Sequence, residues 1–137
     1  MELTIRSLKP PTRANLDEDL EWFCKSLGLV NRRDKHKTCF KVFRLIIDYS
    51  KKGEEISANE IARQIGITRT AVIHHLRTLK DAGIVINEGT TYELRMRSLQ
   101  KIVDEIKMDL ERTLAHVREI AEDIDKMLEM PVRPKVK

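Results

Sequence analysis

The sequence predicts a mainly α-helical fold with one small β-hairpin and a long closing helix. Apolar residues recur every three or four positions through most of the chain, and a short stretch after Gly83 alternates instead. Only 4% of the 137 residues are aromatic while 35% are charged, a balance suited to helices that face solvent rather than to a ring-packed sandwich. The length allows one domain and an appendage, and 41% hydrophobic residues fill a modest core. A deep pocket for small-molecule chemistry is not implied, and no Ser-His-Asp set, Gly-rich phosphate loop or metalloprotease signature is present. The expectation is a protein that is not an enzyme.

Residues 1–16 contain Pro10-Pro11 and little periodicity, so they read as an extended arm ordered by packing on something else. A first helix follows from Asp17, its N-cap, to Leu27, with Leu20, Phe23, Cys24 and Leu27 on one stripe and Gly28 at the stop. A polar loop from Asn31 to Lys37 leads into a second helix from about His36 to Lys51, whose apolar set is Cys39, Val42, Phe43, Ile46 and Ile47. Ser57 and Glu60 have the spacing of a capping box, placing a third helix from Ala58 to Gly66 that buries Ile61, Ala62 and Ile65. Thr68 caps a fourth helix, Arg69 to Ala82, burying Val72, Leu76 and Leu79 and ending at Gly83. The period then becomes two: Ile84 to Ile86 and Thr91 to Leu94 flank a turn at Glu88-Gly89, a tight hairpin. Ser98 caps a fifth helix that stays periodic to Met130, where Pro131 and Pro134 stop it in a basic tail. The domain reading is therefore an arm (1–16), a helical domain with a hairpin (17–97), an amphipathic helix (98–130) and a tail (131–137).

Two helices joined by the short link Gly66-Ile67-Thr68 and followed at once by a hairpin make a helix-turn-helix with a wing. The stretch from Ser57 to Val85 resembles the winged-helix core of ArsR- and MarR-type transcriptional regulators of prokaryotes and archaea. The resemblance is strongest in Val72-x-x-His75-Leu76-x-x-Leu79-x-x-Ala82-Gly83-Ile84-Val85. It covers about 40 residues and leaves the arm and the last helix unaccounted for. The resemblance implies that the fourth helix reads duplex DNA and that His75 turns inward.

The residues support the same reading independently. With Val72, Leu76 and Leu79 inward, the outward and flanking positions are Thr68, Arg69, Thr70, Ile73, His74, Arg77 and Lys80. Arg69 sits in the first turn, where the positive end of the helix dipole disfavours a cation, so its presence points to an anionic partner. Its fork suits guanine O6 and N7, Ile73 suits a thymine methyl, and His74 and Arg77 suit bases or phosphates. In the wing, Thr90, Thr91, Arg95 and Arg97 are candidate backbone contacts, although the tip carries one acidic residue and no cation. The basic loop Arg32 to Lys37 is a second candidate phosphate clamp, with a solvated loop as the equal alternative.

Basic residues outnumber acidic ones by 26 to 22, a formal net charge of +4, with 12 against 9 in residues 1–56, 6 against 4 in 57–97 and 8 against 9 in 98–137. Positive charge therefore belongs to the first two thirds. Two cysteines are too few for a disulfide framework, no secretion-type signal opens the chain, and no apolar run is long enough to span a membrane, so a cytoplasmic location without membrane association is expected. His36 and Cys39 share a helical face and, with Cys24, make a conceivable three-ligand site. Buried core cysteines are the commoner use, so neither metal nor cofactor is expected. His74 and His75 point about 100° apart and cannot clamp one ion together.

In the last helix, Val103, Leu110, Val117 and Ile124 form one heptad series and Leu99, Ile106, Thr113, Ile120 and Met127 the other, with Leu114, Ala121 and Leu128 widening the stripe. A rod of about 48 Å, at 1.5 Å per residue, outruns the radius of about 13 Å of a 100-residue body, so pairing with a second chain is expected. The dimerisation set is Leu99, Val103, Ile106, Leu110, Leu114, Val117, Ile120, Ile124 and Met127. The expectation is a homodimeric, sequence-specific regulator on an inverted repeat of double-stranded DNA. The alternative is a winged-helix module that binds protein and recruits or scaffolds transcription machinery.

Overall fold

The computed structural model describes residues 2–30 and 37–130. Most of the basic loop, including Arg32, Arg33, Lys35 and His36, and the tail 131–137 lie outside the described residues. The elements in order are α1 (Leu16–Ser26), α2 (Thr38–Lys51), β1 (Ile56–Ser57), α3 (Ala58–Ile65), α4 (Arg69–Asp81), β2 (Val85–Glu88), β3 (Thr91–Leu94) and α5 (Leu99–Met127). This is the expected mainly helical winged helix-turn-helix arrangement with a long closing helix, and the chain divides into two compact units, Met1–Ile102 and Val103–Lys137.

In the first unit, α2, α3 and α4 bury one face each around Phe43, Ile46, Ile61, Leu76 and Leu79, all under 2% exposed. Phe23 of α1 stacks on Phe43 of α2 with centroids 6.0 Å apart. Each such side chain removed from water contributes roughly 1.5 to 3 kcal/mol, which is what holds short helices of modest intrinsic stability together. Ile84, Val85 and Ile102 extend the core to the hairpin and to the first turn of α5.

Several local readings change. The cap of α1 is Asn15, whose side chain accepts from Glu18 N, rather than Asp17, which falls inside the first turn and there complements the helix dipole. The second helix begins at Thr38, because Lys37 holds a left-handed φ of 52° and makes no side-chain cap. α4 stops at Asp81, with Ala82 as its C-cap, and α5 stops at Met127 rather than Met130. Ser57 does cap α3 by accepting from Glu60 N at 3.1 Å. The Glu60 carboxylate, however, bonds Arg63 and Gln64 instead of returning to the Ser57 amide, since a guanidinium one turn on outcompetes a neutral N–H.

The hairpin is one part of a three-stranded antiparallel sheet in the order β1-β3-β2. Its register pairs Val85 with Leu94 and Glu88 with Thr91, so the turn is Gly89-Thr90, and β1 joins by pairing Ile56 with Tyr92 and Ser57 with Thr91. The arm is ordered by its own unit. Glu2 N donates to Asp81 O at the end of α4, and Arg6 N donates to Ser26 O at the end of α1. Gly28 is required there twice over: its φ is +69°, and a Cβ would lie 2.9 Å from both Thr4 Cβ and Thr4 O.

Taken by itself, α5 is a continuous helix of 29 residues, a rod of about 43 Å. Ile102 and Ile106 are buried, and Leu99 and Leu110 are half-buried. Val103 is exposed, and beyond Leu110 the apolar stripe lies open: Leu114 is 62% exposed, Val117 58%, Ile120 59%, Ile124 44% and Met127 75%. Three of its cations are paired along the helix, Lys107 with Glu111, Arg112 with Asp109 and Arg118 with Glu122.

Candidate nucleic-acid interface

The turn between α3 and α4 is set by three residues. Gly66 takes φ +81° as the left-handed C-cap of α3, a conformation that an L side chain adopts only with strain. Ile67 bridges, and Thr68 turns the chain into α4 with its Oγ1 accepting from Ala71 N at 3.1 Å. The result is a recognition-type helix packed on α3, with Val72, Leu76 and Leu79 at 0 to 1% exposure and the opposite face in water.

That outer face carries the candidates. Thr68, Arg69, Thr70, His74, Arg77 and Lys80 are exposed, while Ile73 and His75 are half-buried. The His74 and His75 rings meet edge-on at 5.6 Å, and the His74 carbonyl accepts from Thr78 Oγ1. No acidic residue lies in the first turn of α4. Among the described residues Arg69, Arg77 and Lys80 make no ion pair, in contrast to Arg63 on α3, which is bound to Glu60. That bond holds the Glu60 carboxyl down to about 2, through the hydrogen bond from Arg63 first and that from Gln64 second. The cations of α4 thus stand on one face without an ion pair among the described residues, with Asp81 the carboxylate beside Arg77 and Lys80.

Tyr92 on β3 is a residue that the pattern of the sequence did not single out. A cleft of about 340 Å³ runs between α4 and the sheet, lined by Ile73, Leu76, Arg77, Lys80, Asp81 and Tyr92. Its phenol therefore borders the same surface as the two cations. Alternation marked Tyr92 as a strand residue, but only the pairing of β1 with β3 fixes which side of the sheet it serves.

The wing is less suited to a polyanion than α4. Thr90 is exposed at the tip, but the Thr91 hydroxyl is engaged with Glu55 Oε2 at 2.7 Å and with the Glu88 carbonyl at 3.1 Å. Glu55, Glu88 and Glu93 bring carboxylate oxygens within 4.8 Å of one another beside it. Arg95 is half-buried at the base of the hairpin, its guanidinium 3.5 Å from Gly83 O and its amide donating to Ile84 O. Thr91 is thus removed from the candidate backbone contacts, because its donor is already committed within the sheet.

Cys24 and Cys39 are free and buried at 1% and 3% exposure. Burial pushes the Cys24 thiol up to about 12, with the neighbouring Cys39 and Glu21 adding to the effect. Both side chains lie in the apolar core. Neither belongs to the one ligand-type cluster among the described residues, the three exposed or half-exposed carboxylates of the wing. His36, the third ligand of the conceivable site, lies outside the described residues.

Residues 36–87 match a family model described as a helix-turn-helix domain. The matched segment runs through α2, β1, α3 and α4 into β2, so the helix-turn-helix found from caps and spacing is the same one. No curated protein matches the chain. Among the described residues, no helix is long and apolar enough to cross a membrane.

Proposed function

We propose that this protein is a sequence-specific, DNA-binding transcriptional regulator of the ArsR or MarR type, working in the cytoplasm as a homodimer on an inverted repeat. One observation carries the reading: α4 presents Arg69, Arg77 and Lys80 to solvent without an ion-pair partner among the described residues, on the face opposite its buried stripe, inside the matched helix-turn-helix segment. In this reading α4 lies in the major groove. Arg69 and Thr70 reach base edges, His74 and Arg77 reach bases or phosphates, and Thr68, Lys80 and Tyr92 hold the backbone. Two chains pair through the open stripe of α5, so the two recognition helices are related by a two-fold axis and the half-sites lie about 34 to 36 Å, or a multiple, apart.

Selection of bound sites from a random duplex pool tests this directly. The expected outcome is enrichment of one inverted repeat, with affinity falling steeply as salt rises. A pool that remains random after repeated rounds overturns it.

The carboxylates of the wing favour a second reading, a module that docks on a protein of the transcription machinery. It differs in predicting DNA affinity that is weak and blind to sequence.

A further inference from the structure

A second cavity among the described residues lies away from the outer face of α4. It measures about 810 Å³ and opens where the end of α2, the end of β3 and the start of α5 converge. Four cations line it, Lys51, Arg95, Arg97 and Lys101, against two carboxylates, Glu54 and Glu93. The volume falls in the range of small-molecule clefts, and Leu94 and Met96 give the wall an apolar portion. None of the outward residues of α4 takes part.

Helix electrostatics explain only one of these cations. Lys51 sits in the last turn of α2, where the negative end of the dipole favours it. Lys101 is in the first turn of α5, which holds no acidic residue, so the dipole disfavours it. Lys51, Arg97 and Lys101 make no ion pair among the described residues, and Arg97 and Lys101 are exposed. Positive potential is thus concentrated in a concave site at a cost to the fold, with the fork of Arg97 able to grip two oxygens at once.

We propose that this cavity binds a small, multiply charged anion of the phosphate-ester or pyrophosphate class. Four cations against two carboxylates leave the lining a formal net charge of +2, which a single carboxylate would only half meet, whereas a phosphate with two charges can meet Arg97, Lys101 and Lys51 together. The apolar wall at Leu94 and Met96 accommodates the organic part. The site stands independently of the DNA reading, since it shares no residue with the outer face of α4. Arg95 reaches from it to Gly83, the glycine that ends α4, so an occupant lies one side chain from the recognition helix.

The test is titration of the full ¹⁵N-labelled chain with inorganic pyrophosphate at constant ionic strength, read residue by residue. Saturable shifts are expected at Glu54, Leu94 to Arg97 and Lys101, with binding there weakened at least about tenfold in the double variant Arg97→Gln, Lys101→Gln. Both side chains are exposed, so the variant folds, and Arg112→Gln with Arg118→Gln serves as a control that retains the site. Shifts confined to Arg69 to Lys80, shifts at the cavity that do not saturate, or cavity shifts that survive the double variant overturn the proposal. The same double variant is measured on duplex DNA of random sequence. An unchanged salt slope supports a small-molecule site, whereas a slope lower by about 2 assigns these cations to the DNA backbone and overturns it.

Discussion

α4 and α5 are both amphipathic, yet each leaves a different half of its character unsatisfied. α4 buries its apolar stripe, with Val72, Leu76 and Leu79 at 0 to 1% exposure, while Arg69, Arg77 and Lys80 make no ion pair among the described residues. Beyond Leu110, α5 does the reverse. Arg112 and Arg118 are paired within the helix, and the apolar stripe from Leu114 to Met127 is open to water. What a helix leaves unmet indicates what it is built to meet: a polyanion for α4 and an apolar surface for α5. Amphipathicity alone does not distinguish the two, because the missing partner is visible only once side-chain pairing is known.

The largest effect is expected at the stripe. Val117→Glu with Ile124→Glu removes four apolar side chains from a paired interface at about 1.5 to 3 kcal/mol each, so dimerisation should weaken by more than about 6 kcal/mol. Light scattering at micromolar concentration should then show a folded monomer, with affinity for the full inverted repeat reduced to that of a half-site. A variant that remains dimeric places the interface elsewhere. A folded monomer that binds the full repeat as tightly as before severs recognition from pairing.

On α4 the expected effect is smaller and specific. Arg69→Ala or Arg77→Ala should cost about 1 to 3 kcal/mol on the selected site if the guanidinium contacts a base, and should relax preference at that position. Unchanged affinity for both variants at one fixed salt concentration removes the groove assignment.

The sequence revealed most where the signal is local. Ser57, Gly66, Thr68 and Gly83 bracket α3 and α4 because caps and left-handed stops act within a turn, and the heptads of α5 need only the helix itself. Asn15 and Asp17 are both good caps, and choosing between them depends on where the arm enters α1, which local spacing does not encode. β1 is two residues long and becomes a strand only through Tyr92 and Thr91, some 35 positions later. The same long-range pairing places Tyr92 beside Arg77 and Lys80 and gathers Glu55, Glu88 and Glu93, so the acidic character of the wing was hidden from a reading of its tip alone. The cavity cations were likewise scattered over 51 positions of sequence, from Lys51 to Lys101.

The entry of α4 offers a way to sharpen the comparison. Thr68→Ala removes the hydroxyl that accepts from Ala71 N and should cost about 1 kcal/mol of stability in denaturant unfolding. Thr68→Ser, which keeps the hydroxyl, should restore most of it. If the serine restores stability but not DNA affinity, the methyl group of Thr68 is itself part of the interface rather than only its support.

The smallest effect decides whether paired and unpaired cations really differ. Arg118→Ala breaks a 2.7 Å bridge to Glu122 in which the side chains are 80% and 49% exposed, so water already screens the pair. The expected cost is about 0.3 to 0.5 kcal/mol of helix stability. DNA affinity and its salt slope should not change, because a guanidinium already held by a carboxylate has no spare charge to offer a phosphate. Arg69→Ala, which removes the same functional group from a position without a partner, should lower the slope by about 1. A slope that falls equally for both variants would show that charge, wherever it sits, is what DNA reads, and the distinction between the two helices would then rest on the apolar stripe alone.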